Sequence, residues 1–172
     1  MRRLLLVIDM QRDFVDGALG TPEAVSIVER VKEKIRSWPP EAVIATMDTH
    51  GPDYLTTQEG RSLPVEHCIK GTEGWRLRPD IAALLEKAAV FEKPTFGSVD
   101  LAKALAAMED LEEVELVGLC TDICVVSNAL LLKAAMPEVR ISVDAACCAG
   151  VTPEKHRAAL ETMRSCQIQV RE

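Results

Sequence analysis

The sequence predicts an α/β fold: a three-layer α/β/α, Rossmann-like arrangement around a six-stranded, mostly parallel sheet. Three observations carry this. Strand-like runs alternate with segments of helical period along the whole chain, which is the pattern of a parallel sheet flanked by helices. The runs before the last are near-continuous in apolar residues, as in strands covered on both faces. The 172 residues suffice for one domain, and no repeat, low-complexity tract or linker divides them, so residues 1–172 are expected to form a single domain.

The elements follow in order. Leu4–Asp9 is the first strand. Met1-Arg2-Arg3 before it resembles the start of a signal peptide, but the apolar run ends at Asp9, short of the roughly 7–15 residues such a segment needs. Thr21-Pro22 caps a helix carrying Val28, Val31 and Ile35 until Pro39-Pro40 stops it. Ala42–Met47 is the second strand. Asp48 to Arg78 is a long polar stretch rich in Gly, Thr and Pro, and so long a loop in a compact domain is usually functional. Pro79–Lys87 reads as helix, Ala88–Glu92 as the third strand and Val99–Met108 as helix. Glu113–Leu119 is the fourth strand, leading into a helix over Asp122–Ala135. Val139–Val143 is the fifth strand, Pro153–Arg164 a helix capped by Thr152, and Gln167–Val170 the sixth strand.

Composition excludes several classes of function. Twenty Lys and Arg stand against 27 Asp and Glu, a net charge of −7. With no basic stripe, a nucleic-acid partner is not expected. Two Trp, one Tyr and three Phe are too few for a base-stacking platform. No run approaches the roughly 18–20 apolar residues of a membrane span. The six cysteines do not read as a disulfide framework, because the chain can build an aliphatic core and Cys147 and Cys148 are adjacent. A reducing, cytoplasmic setting follows as an expectation.

In doubly wound sheets, sites form at the carboxyl ends of strands. That rule marks Asp9, Asp48, Lys93 and the Cys120–Cys124 turn together. Cys124, entering a helix, is a candidate nucleophile, since free N–H groups there favour a thiolate and can hold an oxyanion. As an alternative, Cys is simply a common buried small residue. Asp9 can take the thiol proton, and Lys93 can favour the developing negative charge; a structural ion pair is the plainer alternative. Asp48-Thr49-His50 and His67 offer a carboxylate and two imidazoles, a sensible first-row metal set. Glu59 and Asp53 are candidate further oxygen ligands, and Tyr54 a weaker one. His156, among charged residues, reads as a surface histidine. Cys120 with Cys124 as a redox pair is a further reading, disfavoured by geometry.

Taken together, these residues resemble the cysteine hydrolase (isochorismatase-like) superfamily, and within it the nicotinamidase/pyrazinamidase branch. VIDMQRDF at 7–14 resembles the opening motif, ATMDTH at 45–50 the metal segment and PVEHCIKGTEGW at 64–75 the segment with the second histidine. EKP at 92–94 resembles the lysine segment and GLCTDICV at 118–125 the nucleophile turn. The resemblance implies an Asp9–Lys93–Cys124 triad. It implies a cis peptide before Cys120, and an oxyanion hole from the Cys120 and Cys124 amides. It further implies Phe14 against the substrate, and one divalent metal on Asp48, His50 and His67, with Glu59 a possible fourth ligand. Zinc is the first candidate, with manganese or iron as alternatives. The activity implied is hydrolysis of a small amide, nicotinamide to nicotinate and ammonia, through a thioester on Cys124. The alternatives are an N-carbamoyl compound, ureidoacrylate or isochorismate as substrate, or a non-enzymatic binding module on the same fold. A homo-oligomer is also implied. Two departures stand out. Leu63 or a neighbour occupies the place of a frequent tryptophan, and Tyr54 stands near the place of a third histidine, for which Glu59 is a candidate acidic substitute.

Cys68 is expected to pack behind its neighbouring ligand. Cys147, Cys148 and Cys166 are expected to be small apolar residues at or near strand ends.

Overall fold

The computed structural model describes residues 1–172. Six strands form one sheet: β1 (Arg2–Ile8), β2 (Val43–Asp48), β3 (Ala89–Lys93), β4 (Leu111–Leu119), β5 (Arg140–Ala149) and β6 (Gln169–Arg171). Their order is β3-β2-β1-β4-β5-β6, and every pairing is parallel. The helices are α1 (Arg12–Val15), α2 (Pro22–Ser26), α3 (Val28–Arg36), α4 (Gln58–Ser62), α5 (Pro79–Ala82), α6 (Val99–Ala106), α7 (Val126–Ala135) and α8 (Pro153–Ser165). None is long and apolar enough to cross a membrane.

Alternation along β1 explains the layers. Leu4, Leu6 and Ile8 enter a core of 21 buried residues with α6, α7 and α8. Leu5 and Val7 enter a core of 19 with α2 and α3. The near equality shows a sheet covered on both faces, as a parallel sheet requires. The chain leaves β1 toward β2 on one side and later returns to β4 on the other. The crevice at the carboxyl ends of β1 and β4 is therefore the switch point where ligands bind.

The structure departs from the sequence reading in several places. β3 is an edge strand with most of its residues exposed, because nothing pairs beyond it; its apolar run is not covered on both faces. The first long helix breaks at Ile27 into α2 and α3, and the helix expected over 79–87 ends at Ala82. β5 runs on to Ala149, with pairing to β4 jumping from Leu116↔Val143 to Gly118↔Cys148. The small residues of Asp144–Cys147 bulge out of the ladder there. Gly118 has φ +118°, and a Cβ would lie 2.2 Å from the Ile8 carbonyl oxygen. Only glycine lets β4 come this close to the end of β1.

Candidate functional site

Asp9 follows β1 with φ +47°, an uncommon conformation for a non-glycine residue. Its Oδ1 accepts the Thr46 hydroxyl at 2.6 Å, and its Oδ2 lies 2.7 Å from Lys93 Nζ. That Oδ2 has no hydrogen bond of sound angle within the chain. Lys93 ends β3, so a solvent-facing strand delivers one fully buried ammonium. Its Nζ also donates to Cys124 Sγ at 3.4 Å, Asp48 Oδ1 at 3.4 Å and the Thr95 carbonyl at 3.1 Å.

Cys124 stands not in the first turn of an α-helix but in a π-type turn, Thr121–Val125, that leads into α7. The Cys120 carbonyl accepts from both Ile123 and Val125 N–H at 3.0 Å, while the Cys120 N–H has no backbone partner. The Leu119–Cys120 peptide is cis. Asn128 reaches back one turn and donates to the Cys124 carbonyl at 2.8 Å.

Burial raises the Asp9 carboxyl above its usual range, although Lys93 pulls it down. Burial, and then the Asp9 charge, push the Cys124 thiol well up, with Lys93 opposing. The resting pair is therefore a thiol beside a carboxylate that is a stronger base than an ordinary aspartate. Lys93 is held above the usual lysine range, because Asp9, Cys124 and Asp48 overcome the effect of burial.

The second group lies beside the first. Asp48, His50, Glu59 and His67 bring one ligand atom each within 4.8 Å of one another. His50 Nε2 is 2.8 Å from Asp48 Oδ2 and 3.5 Å from Glu59 Oε1; His67 Nε2 is 3.6 and 3.7 Å from the same two oxygens. His67 Nδ1 meets the Val65 carbonyl at 2.8 Å. A proton on that nitrogen leaves the Nε2 lone pair for a cation. Burial would raise Asp48, but His50, His67 and Lys93 hold it far below the carboxylate range. Burial, with Asp48 adding, raises Glu59.

The polar loop is ordered so that these ligands converge. His50 pairs with Ile69 in an isolated parallel bridge, its N–H donating to the Cys68 carbonyl at 2.9 Å. Gln11 clamps Asp48: its Nε2 donates to the Asp48 carbonyl and its Oε1 accepts the Asp48 N–H, both at 2.7 Å. Asp13 accepts the Cys68 N–H at 2.8 Å. Thr57 caps α4 and so sets Glu59 in its first turn. Gly60 is required there, since a Cβ would lie 2.0 Å from the Tyr54 carbonyl oxygen.

Tyr54 is not a ligand. Its hydroxyl donates to the Leu63 carbonyl at 2.9 Å and its ring packs against both imidazoles. Asp53 is exposed and outside the ligand group. His156 is not a surface residue: it is half-buried, with Nδ1 2.7 Å from the Thr121 hydroxyl. Cys68, Cys147 and Cys148 are buried as expected, but Cys166 is exposed. Gln11, Thr46, Asn128 and His156 are the polar contacts that sequence reasoning did not assign. Gln11 lies inside the opening motif, and that was its only signal.

Between the two groups lies a small chamber of about 50 Å³, lined chiefly by Phe14, Leu19, Leu63, Phe96 and Ile123 with Cys124 at its end. A groove of about 570 Å³ adjoins it, sharing Glu59, Leu63, Phe96 and Ile123 as walls. Phe14 lines this chamber, its ring 5.5 Å from that of His67.

A family model described as an isochorismatase domain matches residues 3–172. The nicotinamidase of Escherichia coli is 30% identical, over 91% of this chain and 87% of its own. The nicotinamidase/pyrazinamidase of Mycobacterium tuberculosis is 28% identical, over 98% and 97%. Among solved structures, a nicotinamidase/pyrazinamidase from Bacillus subtilis superposes with a TM-score of 0.87 at 30% identity, covering 100% of both chains. A pyrazinamidase of Pyrococcus horikoshii in complex with zinc gives a TM-score of 0.80 at 29% identity, over 99% of this chain and 98% of that one.

Proposed function

The chain belongs to the isochorismatase family and is a hydrolase acting on amide C–N bonds; we propose that its substrate is nicotinamide, cleaved to nicotinate and ammonia through a thioester on Cys124. The observation that carries this reading is the buried contact of Asp9, Lys93 and Cys124, within 2.7 and 3.4 Å of the same Nζ. Its Cys124 lines an apolar chamber whose wall also carries Asp48, Glu59 and His67 of the cluster.

That donor set, two imidazoles and two carboxylates at mutual distances a single ion can span, fits a divalent first-row metal. These four residues would hold it, zinc being the first candidate, and it would supply an electron-pair acceptor that orients a ring nitrogen. In the proposed mechanism, Asp9 Oδ2 takes the Cys124 thiol proton as the sulfur attacks. The carbonyl π pair moves onto oxygen, where the Cys120 and Cys124 N–H groups meet it. The C–N bond then breaks, and Asp9 returns the proton to the departing ammonia. Water adds to the thioester, giving one proton to Asp9; the C–S bond breaks as Cys124 Sγ recovers that proton, and the acid formed gives its remaining proton to solvent and leaves as carboxylate. Lys93 balances the negative charge as it moves between carboxylate, sulfur and oxygen. Phe14 and Leu63 keep water from the flat ring.

Ammonia release from nicotinamide, pyrazinamide, an N-carbamoyl amino acid and ureidoacrylate, with isochorismate followed separately, tests the substrate. The expected result is strong preference for the two ring amides; preference for a carbamoyl compound or for isochorismate would replace this reading. Elemental analysis is expected to find about one divalent metal per chain, lost in His67→Ala. A wild-type chain that takes up no metal after chelation and resupply would remove the metal from the proposal.

A further inference from the structure

One polar contact reaches the nucleophile turn from another layer of the fold. His156, on α8, brings Nδ1 to 2.7 Å from the Thr121 hydroxyl. Thr121 is fully buried and follows Cys120 directly. The next residue, Asp122, accepts the Val151 N–H at 3.0 Å. Two successive side chains of the turn are thus tied to the junction between β5 and α8. The junction is tightly applied: a Cβ on Gly150 would lie 2.7 Å from the His156 backbone nitrogen and 2.9 Å from Asp122 Oδ1. His156 itself does not line the inner chamber; it borders a separate open hollow with Arg30 and Gly150.

We propose that His156 is a positioning residue which, through the Thr121 hydroxyl, holds the Cys120–Thr121 backbone so that the Cys120 N–H points at the developing oxyanion. The inference rests on the amidase reading above. Hydrogen-bond donors stabilise a transition state in proportion to how well they are held before charge appears. A π-type turn has no regular α-helical ladder to hold its first residues. Here the Cys120 carbonyl is fixed by two N–H groups at 3.0 Å, and Thr121, joined to Cys120 on that same side, is held through its hydroxyl, so the residue that carries the oxyanion-facing N–H is anchored from its carbonyl end. Burial keeps the His156 ring below its ordinary proton affinity, with Asp122 opposing and Arg157 assisting. A neutral ring keeps one nitrogen as an acceptor for the Thr121 proton.

Three substitutions separate position from bulk. His156→Asn leaves an amide group near the place of Nδ1, His156→Gln moves it toward the place of Nε2, and His156→Phe removes both. The measurements are kcat and KM for nicotinamide, the rate of Cys124 alkylation by iodoacetamide, and inhibition by pyridine-3-carbaldehyde. In the aldehyde adduct Cys124 Sγ bonds the carbonyl carbon, its proton passes to Asp9, and the carbonyl oxygen becomes the alkoxide that the N–H groups hold. Alkylation displaces iodide at a saturated carbon and makes no oxyanion.

His156→Phe and His156→Gln are expected to lower kcat by about 10–100-fold and weaken the aldehyde by a similar factor. KM and alkylation rate stay within about twofold of wild type, since neither senses an oxyanion. His156→Asn recovers most of kcat. Thr121→Val reproduces the loss, and combining it with His156→Phe adds little. If alkylation falls in step with kcat, or if all three variants match wild type, the positioning role is overturned. Cys124→Ala that still turns over nicotinamide would instead sink the amidase reading itself, a separate and distinguishable outcome.

Discussion

Two clusters of buried charge sit at opposite ends of the same sheet, and they are built differently. Toward the amino ends, Glu113 and Glu115 on β4 are buried under α3. Glu113 is met by Arg3 at 2.7 Å, by Ser142 at 3.3 Å and by Arg171. Glu115 is met by Lys34 and Arg171, both at 2.8 Å. Each cation keeps part of its side chain in water, Arg3 54% and Arg171 32% exposed, so little of its hydration is lost. Toward the carboxyl ends, Asp9 and Lys93 are both enclosed, with side chains 0% exposed, and Asp9 Oδ2 lacks a well-angled hydrogen bond. Protonation follows the difference. Burial works to raise Glu113, but Arg3 and Arg171 hold it below the usual range, whereas burial wins at Asp9 and raises it. Burial of charge therefore does not by itself mark a site. A carboxylate left short of donors beside a caged ammonium does, because that is a base kept ready for a proton.

The largest effects should fall where the cluster is under-satisfied. Cys124→Ala and Asp9→Asn are expected to lower kcat by at least about 10³-fold while leaving the urea midpoint near wild type. Neither leaves a new orphan charge, since Lys93 retains Asp48 at 3.4 Å. Substantial turnover by Cys124→Ala would show that the enclosed cluster is as structural as the other. The reverse pattern is expected at the amino end. Glu115→Gln leaves kcat within about twofold but costs about 1–2 kcal/mol of unfolding free energy, because Lys34 and Arg171 lose a buried partner while Lys34 keeps Asp144 and Arg171 keeps Glu113. Urea denaturation with a fixed slope measures it. A loss under about 0.5 kcal/mol would mean that the half-exposed cations return to water at no cost.

Much of the carboxyl-end cluster was legible because it follows one geometric rule. Asp9, Asp48, Lys93 and Cys124 each come just after or at the end of a parallel strand, and the strands themselves were legible from apolar runs. The amino-end cluster was hidden by the same signal: Glu113 and Glu115 stand in a strand that reads as apolar, and their partners on α3, β1 and β6 are distant in sequence. The edge position of β3 was hidden too, since Ala-Val-Phe reads alike at an edge and in the middle of a sheet. The shell around the site, Gln11 on the Asp48 backbone, Asn128 on Cys124 and His156 on Thr121, depends on which polar side chain meets which backbone across the fold. Pattern and spacing carry no record of that.

The smallest effect separates the two clusters by sign and involves Glu113 alone. Its carboxyl lies below the ordinary value of 4.5, so the folded state binds its proton less readily than the unfolded chain does. Linkage then requires the ionised Glu113 to stabilise the fold fully above the unfolded value, and that contribution to fade as pH falls through the lower folded value. Glu113→Gln removes the titration. The gap in unfolding free energy between wild type and Glu113→Gln is expected to be constant from pH 8 to about 5.5 and to narrow on going toward pH 3. Parallel urea titrations at each pH read it. A gap that widened with acid would place Glu113 with Asp9, as a carboxyl raised by burial, and erase the distinction between the two ends of the sheet.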